Sequence, residues 1–413
     1  MTLLLVRHAT LLPTLDGMIA GAFAAARGAE LVTLTGGGAG HARFDCAQHV
    51  LAHGELAPNG LVWAERAIGR PVPPPVDRGA VVQLPGTVVV PLNPALPAHE
   101  EAQARLLATA TRAGRPVEIF DVNEANGLFT LREVPDGALA GRWRCDAYGR
   151  PVPVDAGTEP LPAPSSAPRR VRVLMAGGEA HHREVYPANL AALGDAAEAL
   201  GVGLELSFAD PRDEPAWEHR LAEVDGLVLP GGSDMEQVRG QIEAARVAIR
   251  RDVPTVGLCL GMQTMVTAVA QEICGMNDVN LAEADPDAQT KTFVRLHDEY
   301  GRPLHRLGTQ SCRLAPGSRL ATLVGEERID VRCNHRFVLD PALEPCLTEA
   351  GLVISGRQAE NCHADAIEVP ALRFFLAMQG HPELSSRPGH PHPLLTGFLA
   401  AMATRYPTHR ITD

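Results

Sequence analysis

Residues 253–263 read VPTVGLCLGMQ, a buried-strand pattern that runs through a glycine-flanked cysteine into a helix-forming stretch. Val253, Val256 and Leu258 mark the strand, and Gly257 and Gly261 stand two residues either side of Cys259. This is the pattern of a nucleophile elbow, whose tight strand-to-helix turn strains its central residue and needs neighbours without bulk. The turn exposes the Cys259 side chain and sets its sulfur at a helix N-terminus, where unpaired N–H groups and the helix dipole favour a thiolate. The plainer alternative is a core thiol, which gains nothing from such a setting.

Outward from the elbow, strands and helices alternate. VRVLMAGG (171–178), GLELSFAD (203–210) and DGLVLPGG (225–232) read as strands, while NLAALGDAAEALG (189–201) and stretches near 215–223 and 236–250 read as helices. Such alternation predicts an α/β fold with a parallel, doubly wound sheet. Residues 151–170, PVPVDAGTEPLPAPSSAPRR, have almost no large apolar side chains and predict an extended linker. Before it, residues 1–150 show a weaker alternation: LLLV, a helix over 15–27, ELVTLTGGG, a helix over 42–53, GLVW, TVVVPL, a helix over 98–113, and PVEIFDV. The expectation is two doubly wound, Rossmann- or flavodoxin-like domains, 1–150 and 171–413, joined by that linker.

Composition narrows the function. The 413 residues are 45% hydrophobic and 21% charged, as in a globular protein. A formal charge of -12 argues against nucleic acid as the main partner, because binding a phosphate backbone needs clustered Lys and Arg. No apolar run reaches membrane-spanning length and the N-terminus lacks a signal-peptide core, so a cytoplasmic protein is expected. The 8 cysteines form no CxxC pair, as a reducing compartment permits.

A thiol nucleophile needs a base that takes its proton and later returns one to the leaving amine, and histidine suits both near neutral pH. Among 16 histidines, His381 stands out: it follows the strand pattern LRFFLAMQG and precedes Pro382 and Glu383, a carboxylate placed to orient the imidazole. The competing reading is a surface turn. His381, His390 and His392 are not read as a metal site, since prolines interrupt them, and no metal is expected. The adjacent His181 and His182 read as a solvated pair.

Residues 171–413 resemble the class I glutamine amidotransferases, most closely the amidotransferase domain of CTP synthases, through LVLPGG, VGLCLGMQ, RLGTQ, NHRF and MQGHPELSSRPGHPHPLLTGF in the family's order. The resemblance implies that Cys259 attacks the side-chain amide of L-glutamine, releasing ammonia and leaving a γ-glutamyl thioester, with His381 as acid and base and Glu383 orienting it. It further implies an oxyanion hole at Gly232 and Leu260, and glutamine contacts at Gly231, Gln263, Glu283 and Arg336, the Glu holding the amine and the Arg the carboxylate. Glutamine hydrolysis itself requires no cofactor; ATP and Mg would act on a partner synthetase. Ser233 stands where the family usually has Phe, and SDMEQVRG replaces its glycine-rich lid, so GTP control is not carried over. No GxxxxGK[ST] phosphate loop occurs in the chain.

In the first domain, LVTLTGGGAGHARFDCAQHVLAHG places glycines between a strand and a helix, an arrangement that receives phosphates. Together with TVVVPLNPALP and AGRPVEIFDV it looks like the SLOG superfamily, making Gly36, Gly37, Gly38 and Gly40 candidate nucleotide-binding residues, against the alternative of packing glycines or a docking module. LLLVRHAT also resembles the start of histidine phosphatases, but the rest of that signature is missing and His8 is not assigned the role. The expected function is an ammonia-producing amidotransferase feeding a nucleotide-like or other small acceptor, on this chain or a partner synthetase chain, with a homo-oligomer as a further expected partner. A stand-alone γ-glutamyl amide hydrolase and a catalytically silent binding module are the alternatives.

Overall fold

The computed structural model describes residues 2–35, 46–56, 62–155, 169–213 and 215–403. The chain divides into two compact units, one of residues 1–163 with 180–191 and 307–309, the other of the remainder. Gly36, Gly37, Gly38 and Gly40, and most of the expected linker, lie outside the described residues.

The second unit is built on a nine-stranded sheet. Its parallel part runs Phe375–Met378, Thr255–Leu258, Gly226–Leu229, Arg170–Ala176 and Gly203–Ala209. Ala364–Glu368, Val353–Gln358, Arg306–Leu314 and Arg328–His335 extend it past Phe375–Met378, with antiparallel pairing from Phe375–Met378 through Arg306–Leu314. Strands buried on both faces read as continuous apolar runs, which is why this half was legible. The helices Ala188–Leu200, Trp217–Ala222, Val238–Arg251 and Leu260–Glu272 fall where periodicity placed them. Met262, Met265, Val266 and Val269 of the last join Val238 and Ile242 in the main apolar core.

The first unit has a seven-stranded sheet in the order Glu30–Leu31, Val88–Leu92, Leu3–Arg7, Val117–Ala125, Leu128–Val134, Leu139–Cys145, Pro151–Pro153. The first four strands are parallel, as expected of a wound sheet. The last three form an antiparallel meander that sequence reasoning did not foresee, and Pro151–Pro153 belongs to it rather than to a linker. Two further expectations are corrected. Val62 and Trp63 of GLVW are not in a strand: Val62–Ile68 is a helix, its Ala64 packed so tightly on Gly21 that a methyl on Gly21 would lie 3.0 Å away. In place of a helix over 42–53, the described part holds one 3-10 turn, Ala47–His49. Among the described residues no helix is long and apolar enough to cross a membrane.

Candidate active site

Cys259 ends the strand Thr255–Leu258 and caps the helix Leu260–Glu272 with φ 53° and ψ -107°. A positive φ is costly for a residue with a side chain, and it persists because the surroundings dictate the turn. The flanking glycines are demanded by contact. A methyl on Gly257 would meet the Gly261 carbonyl at 2.8 Å and Met265 Sδ at 2.4 Å, and one on Gly261 would lie 1.9 Å from the Leu229 carbonyl oxygen. Gly261 thus lets the helix press against the end of Gly226–Leu229, the strand that delivers Gly231 and Gly232. A methyl on Gly231 would sit 3.0 Å from His381 Cε1 and 3.1 Å from Cys259 Cβ, so this glycine borders both side chains. Gly232 faces the Leu260 side chain. As the first residue of its helix, Leu260 has no intrahelical acceptor for its N–H.

His381 follows the neighbouring strand Phe375–Met378, and its backbone N–H donates to the Arg332 carbonyl at 2.8 Å. Its Nδ1 lies 2.7 Å from Glu383 Oε1, and Glu383 is fully buried. Burial by itself lowers the imidazole's proton affinity, but the Glu383 carboxylate and the Cys259 sulfur outweigh it and raise the pKa to about 10. The sulfur, the imidazole and the carboxylate therefore form one electrostatic unit.

Gln379, which sequence reasoning left without a role, points its Nε2 at Cys259 Sγ from 3.8 Å and accepts from Gln263 Nε2 at 3.4 Å. Gln263 is thereby tied to the elbow. Behind Gln379, its N–H donates to the Asp365 carbonyl at 2.8 Å, and the Asp365 side chain takes both Nη groups of Arg306 at 2.6 and 2.8 Å. Both ends of this ion pair are buried, and Arg306 Nε also donates to Gln310 at 2.7 Å.

Glu283 and Arg336 lie within electrostatic reach of each other. Partial burial lifts the Glu283 carboxyl above the usual range, while Arg336 and Arg295 pull it back. Arg295 was not anticipated: its strand Phe293–Arg295 pairs with Phe337–Leu339, setting its guanidinium 5.7 Å from the Phe337 ring centroid. Arg336 follows Arg328–His335, the strand whose Arg332 makes a backbone bridge to His381, so both residues are set by one backbone framework. His335 is buried, its Nδ1 3.0 Å from the Phe337 carbonyl, and desolvation with Arg306 nearby holds it neutral.

Other candidates fall elsewhere. His392 is buried near Glu383, its pKa lowered to about 4 by desolvation, and its Nδ1 accepts the Leu394 N–H at 3.2 Å. In the π-helical turn His181–Val185, His181 is exposed as expected whereas His182 is buried, which corrects the solvated reading for His182 alone. His8 is buried and its pKa is lowered by desolvation.

A family model for class-I glutamine amidotransferases matches residues 184–401. The CTP synthase of Rubrobacter xylanophilus is 35% identical over 241 residues, 57% of this chain and 44% of that protein. The CTP synthase of Acidobacterium capsulatum is 33% identical over 246 residues, 58% of this chain and 45% of that one. The chain thus spans less than half the length of these relatives. The CTPS glutaminase domain of Trypanosoma brucei, solved with bound acivicin, superposes with a TM-score of 0.53 at 29% identity, covering 57% of this chain and 95% of that domain. With a family model covering more than half of its residues, this chain belongs to the class I glutamine amidotransferases.

Proposed function

We propose that the second unit hydrolyses L-glutamine through Cys259, His381 and Glu383 and that the ammonia serves an amination. The observation that carries this reading is a strained cysteine beside a buried histidine–glutamate pair. With its proton held on His381, the sulfur attacks the side-chain carbonyl carbon of glutamine, and the oxyanion forms against the N–H groups of Gly232 and Leu260. The C–N bond breaks as His381 delivers its proton to the nitrogen, releasing ammonia. Water then attacks the thioester, gives a proton to His381, and frees glutamate as the C–S bond breaks.

Glu383 keeps the imidazole oriented and favours its protonated form. Gln379 and Gln263 line the reaction centre, and Glu283 would hold the substrate amine while Arg336, with Arg295 beside it, holds the carboxylate. The relatives' name supports a nucleotide-like ammonia acceptor, on this chain or on a partner synthetase that uses ATP and Mg.

The test is glutamate release from glutamine by the native protein and by Cys259→Ala, alone and with candidate nucleotides. Release that survives the substitution would rule the mechanism out. A rate that no nucleotide or co-purifying protein changes would count against coupling to an acceptor and favour a stand-alone hydrolase.

A further inference from the structure

We propose that the first unit carries a binding site for a phosphorylated, nucleotide-sized ligand in a cleft between its helices Arg78–Val81 and Pro97–Ala113. The cleft has a volume of about 690 Å³ and is lined by Thr35, Asp77, Arg78, Gly79, Arg105, Ala108, Thr109 and Arg112. That size lies within the range of small-molecule sites, roughly 300 to 1,000 Å³.

The wall from the longer helix is one face of it, at spacings of three, four and seven residues. Arg105 and Arg112 are two turns apart, about 10 Å by helical rise, with small Ala108 between them. That separation exceeds one phosphate group and suits a ligand with two anionic centres, or a diphosphate with its sugar. Arg78 adds a third guanidinium, and among the described residues the only carboxylate in the lining is Asp77.

Asp77 is already engaged, since its Oδ1 accepts the Gly79 N–H at 2.8 Å as a helix cap. Arg112 touches the neutral Thr109 hydroxyl, and the exposed pair of Arg105 with Glu101 is of a kind worth little in water. Positive charge therefore gathers in a cleft of a chain whose net charge is -12. Guanidinium forks match phosphate oxygens in pairs, which is the chemistry this lining offers.

The cleft is also built rather than incidental. Arg115, just past the longer helix, donates to the carbonyls of Val81, Val82 and Leu84 at 3.0, 2.9 and 2.7 Å, fastening the two walls together. Behind them Val81, Val82, Ala102, Leu106 and Ala110 share one apolar core. The backbone that carries the arginines is thus a fixed frame, and on binding the ordering falls on their side chains, exposed at Arg105 and Arg112.

Calorimetric titration at low salt with ATP, UTP, ADP-ribose, ribose 5-phosphate and inorganic phosphate tests this. At least one nucleotide or ribosyl phosphate should bind at least tenfold more tightly than inorganic phosphate. The double variant Arg105→Ala with Arg112→Ala should lose at least tenfold of that affinity while its melting temperature and nucleotide-free glutamate release stay unchanged. Absence of binding by every probe at millimolar concentration, affinity undiminished in the variant, or inorganic phosphate binding as well as the larger ligands would each overturn the proposal. Arg78→Glu gives an independent check, since reversing a lining charge should weaken the same ligand at least as much.

Discussion

Cys259 is held by its neighbours at a backbone angle that its own side chain disfavours, and in the proposed mechanism its reactivity follows from that position. Replacing it with Ala should lower kcat for glutamine hydrolysis by at least ~10³-fold, because the covalent route disappears altogether. Glu383→Gln removes the first of the two influences that hold the imidazole's proton. The pKa of His381 then falls from about 10, and the alkaline limb of the pH–rate profile should move to lower pH along with a drop of roughly 10²- to 10⁴-fold in kcat. A limb that stays in place would disconnect Glu383 from His381. Arg336→Ala should instead raise KM for glutamine by about 10- to 100-fold with a smaller change in kcat, since the carboxylate anchor proposed for it would act on substrate and transition state alike. Steady-state kinetics separate these outcomes. The meeting of Cys259, His381 and Glu383 was legible because each sits in a local pattern, an elbow or a strand end with a carboxylate two residues on. Gln379 and Arg295 were not, because their contacts depend on which strands become neighbours, which no local pattern records.

Gly261 decides how closely the elbow helix approaches the strand Gly226–Leu229. Gly261→Ala would drive a methyl into the Leu229 carbonyl, a backbone atom that cannot rotate away, so the helix must shift. A loss of ~1–3 kcal/mol in denaturant unfolding, and a larger loss of glutaminase rate, is expected from the displaced elbow. Unchanged activity would show that the close approach is not what sets the sulfur. Elements buried on both faces were readable from their runs of apolar residues, whereas those of the first unit's meander were not. Leu128–Val134 and Leu139–Cys145 mix buried Phe129, Leu131 and Trp143 with arginines and glutamate, so neither periodicity stood out. In Val62–Ile68 the strand-forming Val62 and Trp63 misled: helical packing against Met18–Arg27 and the Trp63 Nε1 donation to the Thr14 carbonyl at 2.8 Å override their local preference.

Across the whole molecule, two buried histidines set opposite limbs of stability against pH. His392 titrates near 4 when folded and near 6.5 when not, so on acidification through that window the unfolded chain gains a proton that the folded one refuses. Up to about 3 kcal/mol should be lost between those values, from the size of that shift at 1.36 kcal/mol per unit. His381 acts the other way: its folded pKa is raised, so its contribution is complete below 6.5 and fades as pH climbs through about 10. Unfolding followed against pH should therefore peak near neutrality, with His392→Asn flattening the acid limb and Glu383→Gln the alkaline one. The elbow strand Thr255–Leu258 lies inside its nine-stranded sheet, flanked on both sides by parallel partners. Amides so placed exchange with deuterium only when the whole sheet opens, whereas fraying edges exchange early. The nucleophile should accordingly survive partial melting of the periphery, and heat inactivation should coincide with the last cooperative transition rather than precede it.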